Sequence, residues 1–166
     1  MKILTLLPLI LLAACSSGPT EQESVQIFGA TTSAMTTAQG RAVVDTSSGN
    51  ASVSFTGPCT LGGSVSVTGS YQGADTGDRA AFDLNTTFDN CKELTGTIDG
   101  NLQWTSVADG TNFTASMTGS IDFDGSNASG SCDFDLHMAV TSSSVNYSGS
   151  MCGYDVEADL GLRTGS

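Results

Sequence analysis

Three features predict a mostly β (α+β) fold: an antiparallel meander of about eight strands, forming a curved sheet or partial barrel, with one helix near its N-terminal end. Apolar and polar residues alternate with period two over most of the chain after Gly40. Clusters of Gly, Asn, Asp and Ser recur at short intervals, as turns between short strands require. Only one stretch, residues 21–38, carries apolar residues at the 3.6-residue spacing of a helix. Period two marks strands with one buried and one wet face.

The first element is an address. Lys2 is the only charge before an apolar run from Ile3 to Leu12, interrupted by Thr5 and Pro8. A transmembrane helix needs about 20 apolar residues, twice this run. A charged start, a short apolar stretch and small residues at its end read as a secretory signal. The run ends in Leu12-Ala13-Ala14-Cys15, followed by the polar Ser16-Ser17-Gly18. This resembles the lipobox of bacterial lipoproteins. The resemblance implies cleavage before Cys15, acylation of that cysteine and attachment to a membrane through its acyl chains. In such lipoproteins an Asp directly after the cysteine implies inner-membrane retention. Ser16 stands there, so the resemblance implies the outer membrane. The chain then divides into a signal peptide (1–14), a lipidated tether (15–19) and a single domain (20–166).

The helix comes next. Thr20-Glu21-Gln22-Glu23 reads as a capping box. Val25, Phe28, Met35 and Ala38 follow at helical spacing, and Gly40 sits where a C-terminal glycine belongs. Gly29 and Thr31, Thr32, Thr36 and Thr37 weaken helix propensity. The expected helix runs from about Glu21 to Ala38.

The strands follow. Val65 and Val67 alternate with Ser and Thr; so do Phe82, Leu84 and Phe88 with polar neighbours. Leu94, Ile98, Leu102 and Trp104 form the next apolar face, then Phe113, Met117, Ile121 and Phe123, then Phe134, Leu136, Met138 and Val140. Turns are expected at Ser47–Asn50, Gly73–Asp78, Ala108–Gly110 and Gly125–Gly130. A hairpin about Ala108–Gly110 pairs Trp104 with Phe113 and Leu102 with Ala115. In its middle, large residues face Gly or Ala, as where a sheet bends strongly or a helix lies close. A single sheet with one apolar face needs a cover. Val25, Phe28 and Met35 are therefore expected on Leu84, Ile98, Leu102, Met117, Ile121, Phe134 and Leu136.

Setting Cys15 aside leaves Cys59, Cys91, Cys132 and Cys152. An even set in an exported chain implies two disulfides, with three connectivities open. Register selects among them. A hairpin about Ser142 pairs Val140 with Val145, Met138 with Tyr147 and Phe134 with Met151, bringing Cys132 within one residue of Cys152. A hairpin about Asp75-Thr76 brings Cys59 to Cys91 if Gly62-Gly63 adds a bulge. The expected bridges are Cys59–Cys91 and Cys132–Cys152.

The remaining chemistry is sparse. Five Lys+Arg against 17 Asp+Glu give a net charge of −12 and a pI near 4.1, which argues against nucleic acid as a partner. No nucleophile elbow, P-loop, H-E-x-x-H or dinucleotide fingerprint occurs. The single His, His137, falls on the wet face of its strand. A hairpin through Gly125–Gly130 pairing Ile121 with Phe134 sets Asp122 opposite Asp133, with Asp124 and Asp135 diagonal on the same face. Like charges directly opposite destabilise a sheet, and a hard cation such as Ca2+ would screen them. The other reading of the four aspartates is a solvated acidic face. Within Asp122–Asp133, Asn127 stands where an EF-hand loop requires Gly, so that motif does not apply.

The expected function is non-catalytic: a binding or structural module of the cell envelope, facing an apolar ligand or an envelope protein. The curved sheet under one helix looks like the half-barrel architecture of periplasmic lipid and lipoprotein carriers, which implies a cavity for an apolar ligand. The competing picture has helix and sheet closing on each other completely. A carboxylate-dependent hydrolase using the aspartates, Glu93, Glu157 or His137 is the least favoured alternative.

Overall fold

Residue for residue, the capping box forms as its spacing predicts. In this computed structural model, which describes residues 18–39, 50–73 and 79–161, the Thr20 N–H donates to Glu23 Oε2 at 2.7 Å and the Thr20 hydroxyl to the same oxygen at 2.6 Å. The Glu23 N–H reaches back to Thr20 Oγ1 at 3.4 Å. Helix α1 (Glu21–Gln39) follows. Its threonines are accommodated by local bonding: Thr31, Thr32, Thr36 and Thr37 hydroxyls donate to carbonyls four residues back at 2.8–3.0 Å. The same bond from Ser24 to the Thr20 carbonyl, at 2.9 Å, satisfies a fully buried hydroxyl.

The buried stripe of α1 differs from the expected one. Ser24, Ile27, Ala30, Thr31, Ala34 and Met35 are buried and Phe28 is half-buried, whereas Val25 is 61% exposed. Successive helix residues turn by about 100°, so Val25 lies on the far side from Ile27. Ile27 and Met35 outweigh Val25, and the small Ala30 and Ala34 let the helix sit close to the sheet.

The strands are β1 (Asn50–Pro58), β2 (Gly62–Gln72), β3 (Arg79–Glu93), β4 (Gly96–Asp109), β5 (Asn112–Gly125), β6 (Ser129–Val140), β7 (Ser144–Met151), β8 (Tyr154–Asp155) and β9 (Ala158–Gly161). They form one antiparallel sheet in chain order, curved and not closed, with β8 and β9 both paired to β7. Counting β8 and β9 as one strand interrupted at Val156-Glu157 gives the expected eight.

The β6–β7 register is as predicted: Val140 faces Val145, Met138 faces Tyr147 and Phe134 faces Met151. Two others differ. Trp104 faces Met117 rather than Phe113, because the β4–β5 turn is the two-residue Gly110-Thr111 and Asp109 stays in its strand. Gly110, at φ 59°, takes the left-handed first position such a turn uses. Ile121 faces Cys132 rather than Phe134, because β5 runs to Gly125, whose N–H bonds the Ala128 carbonyl at 3.0 Å. Both errors are even numbers of residues, so every side chain stays on its predicted face. Leu94 is the exception: β3 runs on to Glu93, and Leu94 falls in the β3–β4 turn, 83% exposed.

Both disulfides form as expected, Cys59–Cys91 and Cys132–Cys152. The predicted bulge lies between Gly62 and Ser64. A second, between Phe88 and Cys91 on β3, was not anticipated. Phe88 points inward, and in a regular strand Cys91 would point out. The extra residue turns it in, with Asn90 at φ 46° and its N–H held by Asp99 Oδ1 at 2.6 Å. The two bulges interlock: any Cβ on Gly63 would overlap the Asn90 carbonyl oxygen.

Large residues do face glycines across the inner sheet surface. Gly100 lies between Phe88 and Ile121, and Gly119 between Leu102 and Phe134. A Cβ at either glycine would meet the backbone of the neighbouring strand, so sheet bending rather than helix approach demands them.

Helix α1 contacts β1, β2, β3 and β6 and therefore lies across the strands. A helix is about 10–12 Å wide with its side chains. A strand of 14 residues, the length of β4 and β5, is roughly 46 Å long. The helix covers the end with both disulfides, where Ile27, Met35, Val65, Phe88, Ile98, Ile121 and Phe134 are buried. Toward the other end Leu84, Trp104 and Leu136 are half-buried and Phe82 is 43% exposed. The expected packing of Phe28 and Met35 thus holds over half of the face.

Two measurements check this arrangement. Ile27→Ala is expected to cost about 2–5 kcal/mol in denaturant unfolding, and Val25→Ala less than about 0.5. Equal midpoints for the two would mean that the stripe is misplaced. Glu23 is held below its ordinary 4.5 by the Thr20 hydroxyl and then by the Thr20 N–H. Its carboxylate therefore supports the helix start above the unfolded value, and that support is lost as pH falls through the lowered one. The Thr20 amide resonance should titrate with a midpoint below 4.5.

Candidate functional site

The four aspartates proposed as a cation site do not converge. Asp122 faces Ser131 and Asp133 faces Ser120, not each other; Asp124 faces Ser129 and Asp135 faces Thr118. The two-residue difference in register separates the expected pair. A different like-charge pair results, with Asp99 opposite Asp122 across β4 and β5. Asp99 already accepts from the Asn90 N–H. Among the described residues, the one close group of three metal-ligating types is Cys59, Cys91 and Glu93. Its sulfurs are joined to each other, so no thiolate is available to a metal.

The other ionisable candidates have structural partners or none. His137 lies on the exposed face, as predicted, with Nε2 3.1 Å from Asp135 Oδ1 on the same strand. Glu93 accepts from the Thr60 N–H at 3.1 Å and from its hydroxyl, tying the β1–β2 turn to the end of β3. Glu157 is exposed beside the interruption between β8 and β9. Cys15 and the whole of Leu12–Cys15 lie outside the described residues.

The feature that stands apart is an open groove of about 290 Å³ where the helix stops covering the sheet. Phe28 of α1 forms one side. Trp104, Met117, Leu136 and Met138 from β4, β5 and β6 form the floor. Met151 of β7 and Val156 close the other side. Val156 reaches it because the last strand breaks there, its N–H bonding the Gly149 carbonyl at 2.9 Å. The Trp104 Nε1 is shielded from solvent and has no acceptor, alone among buried side-chain polar atoms of the described residues. Leaving such a donor unpaired costs about 1–3 kcal/mol. The chain's single Trp thus lies on the groove floor with its nitrogen enclosed by the protein.

The sequence placed Trp104, Met117, Leu136 and Met138 on the correct face but did not single them out. The signal was present in the number of large apolar residues per strand, which exceeds what one crossing helix can cover. Compared with protein-family models, with curated proteins and with solved structures, the chain matches none of them.

Charge removal tests the acidic face. Asp122→Asn relieves the repulsion across β4 and β5 and is expected to stabilise by about 0.2–1 kcal/mol at low salt, with the gain shrinking in high salt. Asp133→Asn, opposite a serine, should leave stability within about 0.5 kcal/mol of the parent. Thermal unfolding at two ionic strengths reads both.

Proposed function

We propose that the protein is a lipid-anchored, non-catalytic binding module of the cell envelope, held at the outer membrane through Cys15 and taking an apolar ligand in the groove beneath Trp104. The groove supports the binding half of this reading. It is lined almost wholly by apolar side chains and joins the packed core at one end. Concave, mostly apolar sites with a few placed polar groups are the usual form of small-molecule sites. Here the polar residues on the lining are Ser116, His137 and Tyr147.

The two pictures of the interior each describe one half of it. Over the disulfide end, Ala30 and Ala34 bring helix and sheet together and fill the space. Beyond Phe28 no described element covers the face. A carrier or sensor of an apolar molecule fits this division better than a purely structural role, which would gain stability from covering the rest. A carboxylate hydrolase finds less support, since Glu93 is engaged with Thr60 and the aspartates of β5 and β6 are spread over an exposed face.

The anchoring half rests on Leu12-Ala13-Ala14-Cys15. The residues after Cys15 span at most about 3.3–3.6 Å each, which would hold Thr20 within roughly 18 Å of an acylated Cys15. Two acyl chains or more give a stable attachment where one gives a marginal one.

Cell fractionation checks the anchor: Cys15→Ser is expected to move the protein out of the membrane fraction, and retention there would refute lipidation at this residue. An environment-sensitive apolar dye checks the groove. The parent chain should bind it with enhanced emission, and Ala115→Phe, which places a ring on the groove floor, should weaken binding about tenfold or more. Equal dye binding by the two proteins would place the apolar site elsewhere.

A further inference from the structure

The chain enters the domain at one end of the sheet. Pro19, just before the capping box, is buried. A Cβ on Gly130, at the start of β6, would lie 3.2 Å from the Pro19 ring. Residues span at most about 3.3–3.6 Å each, so Pro19 stays within roughly 14 Å of an acylated Cys15. The same end of the sheet carries the β1–β2, β3–β4 and β5–β6 turns. The opposite ends of β4 and β5 are roughly 46 Å away along the strands.

Two of the turns near the tether carry leucines where turns usually carry Gly, Asn, Asp or Ser. Leu94 is 83% exposed and Leu61 is 62% exposed. The Leu61 N–H donates to the Lys92 carbonyl at 2.8 Å, which joins the two turns, and both leucines line one shallow hollow. The turn with Leu94 leads into β4, two strands from β6, which is about 10 Å across the sheet. Apolar side chains exposed singly are ordinary on a protein surface. These two are neighbours, and they stand at the end that receives the tether. The described turns at the opposite margin hold Gly110 and Thr111, and Thr141, Ser142 and Ser143.

We infer that this end of the sheet rests on a phospholipid bilayer, the one that holds the anchor, with Leu61 and Leu94 inserted at the boundary of headgroups and acyl chains. This rests on the reading of Cys15 as a lipid attachment and adds which surface of the domain meets the membrane. Exposed Lys92 lines the same hollow. Its alkyl stem can lie along the leucines while its ammonium stays among lipid phosphates. Glu93 and Asp124 line the hollow too. A carboxylate is strongly disfavoured in hydrocarbon, so only the leucine tips enter and insertion is shallow. Helix α1 lies across this end of the sheet, and the groove opens on its other flank, past Phe28. In this orientation the groove is turned away from the anchoring bilayer.

The full chain, expressed with its signal segment and purified in detergent, is reconstituted into vesicles of phosphatidylcholine brominated on its acyl chains. Bromine quenches tryptophan emission at short range. Leu94→Trp sets a reporter on the inferred contact and Thr111→Trp sets one on the opposite margin, both at exposed turn positions. The parent supplies the emission of Trp104, which every variant keeps. Flotation of the vesicles reads attachment separately. The tryptophan added at 94 should lose roughly half of its emission relative to unbrominated vesicles, since the boundary lies about 5–10 Å deep. The tryptophan added at 111 should lose none. Leu61→Trp repeats the measurement from the neighbouring turn if Leu94→Trp does not fold. Equal quenching at 94 and 111 overturns the orientation. Protein that floats with the vesicles but is quenched at neither position overturns the membrane contact, leaves the anchor standing and assigns the leucines to a protein partner. Protein that does not float overturns the anchor and the contact together.

Discussion

A single helix laid across long strands can cover only a band of them. The central strands β4 and β5 are about four times as long as a helix is wide, and the chain offers one described helix. Most other features follow from that disproportion. At the covered end, alanines bring the backbones together, hydroxyls buried in the helix bond within it, and apolar side chains make up the core. At the other end the same alternation of apolar residues continues with no described element above it, and a groove appears at the boundary.

The fold was largely legible because period two is a robust signal. Face assignment survives register errors of two or four residues, which is why Trp104, Met117, Ile121 and Phe134 lie inside even though two hairpins differ from expectation. The disulfides were legible because one hairpin register was right and the bulge at Gly62-Gly63 was foreseen. What failed depended on single residues. Starting β4 at Gly96 rather than at Leu94 left that residue in the turn and exposed a leucine. Shifting the helical stripe onto Ile27 exposed Val25, since both positions satisfy a three-four spacing and only the tertiary contacts choose between them.

The candidate site was less legible, for a physical reason. A cation site built from opposite aspartates depends on register to within one pair, and a two-residue difference dissolves it. A groove depends on what is absent from a face, namely cover, and a sequence records what is present. The bulge at Asn90 belongs to the same class. Its effect is to rotate Cys91 inward by one residue, and only the meeting with Cys59 reveals why the strand needed it.

Both disulfides join the sheet at one end, each close to a turn, and the helix lies over the same end. The molecule is therefore graded in rigidity along its strands, stapled at one margin and held at the other by ladder hydrogen bonds and cross-strand side-chain contacts such as Tyr71 on Phe82. Native-state fluctuations open such structures where contacts are sparse and cross-links are absent. Here that is the margin toward Gly110-Thr111, so the strands can fan apart there as slats do about a riveted pivot. A guest entering from that side would widen the groove without disturbing the core, and its entry and exit would be governed by breathing of the unstapled margin.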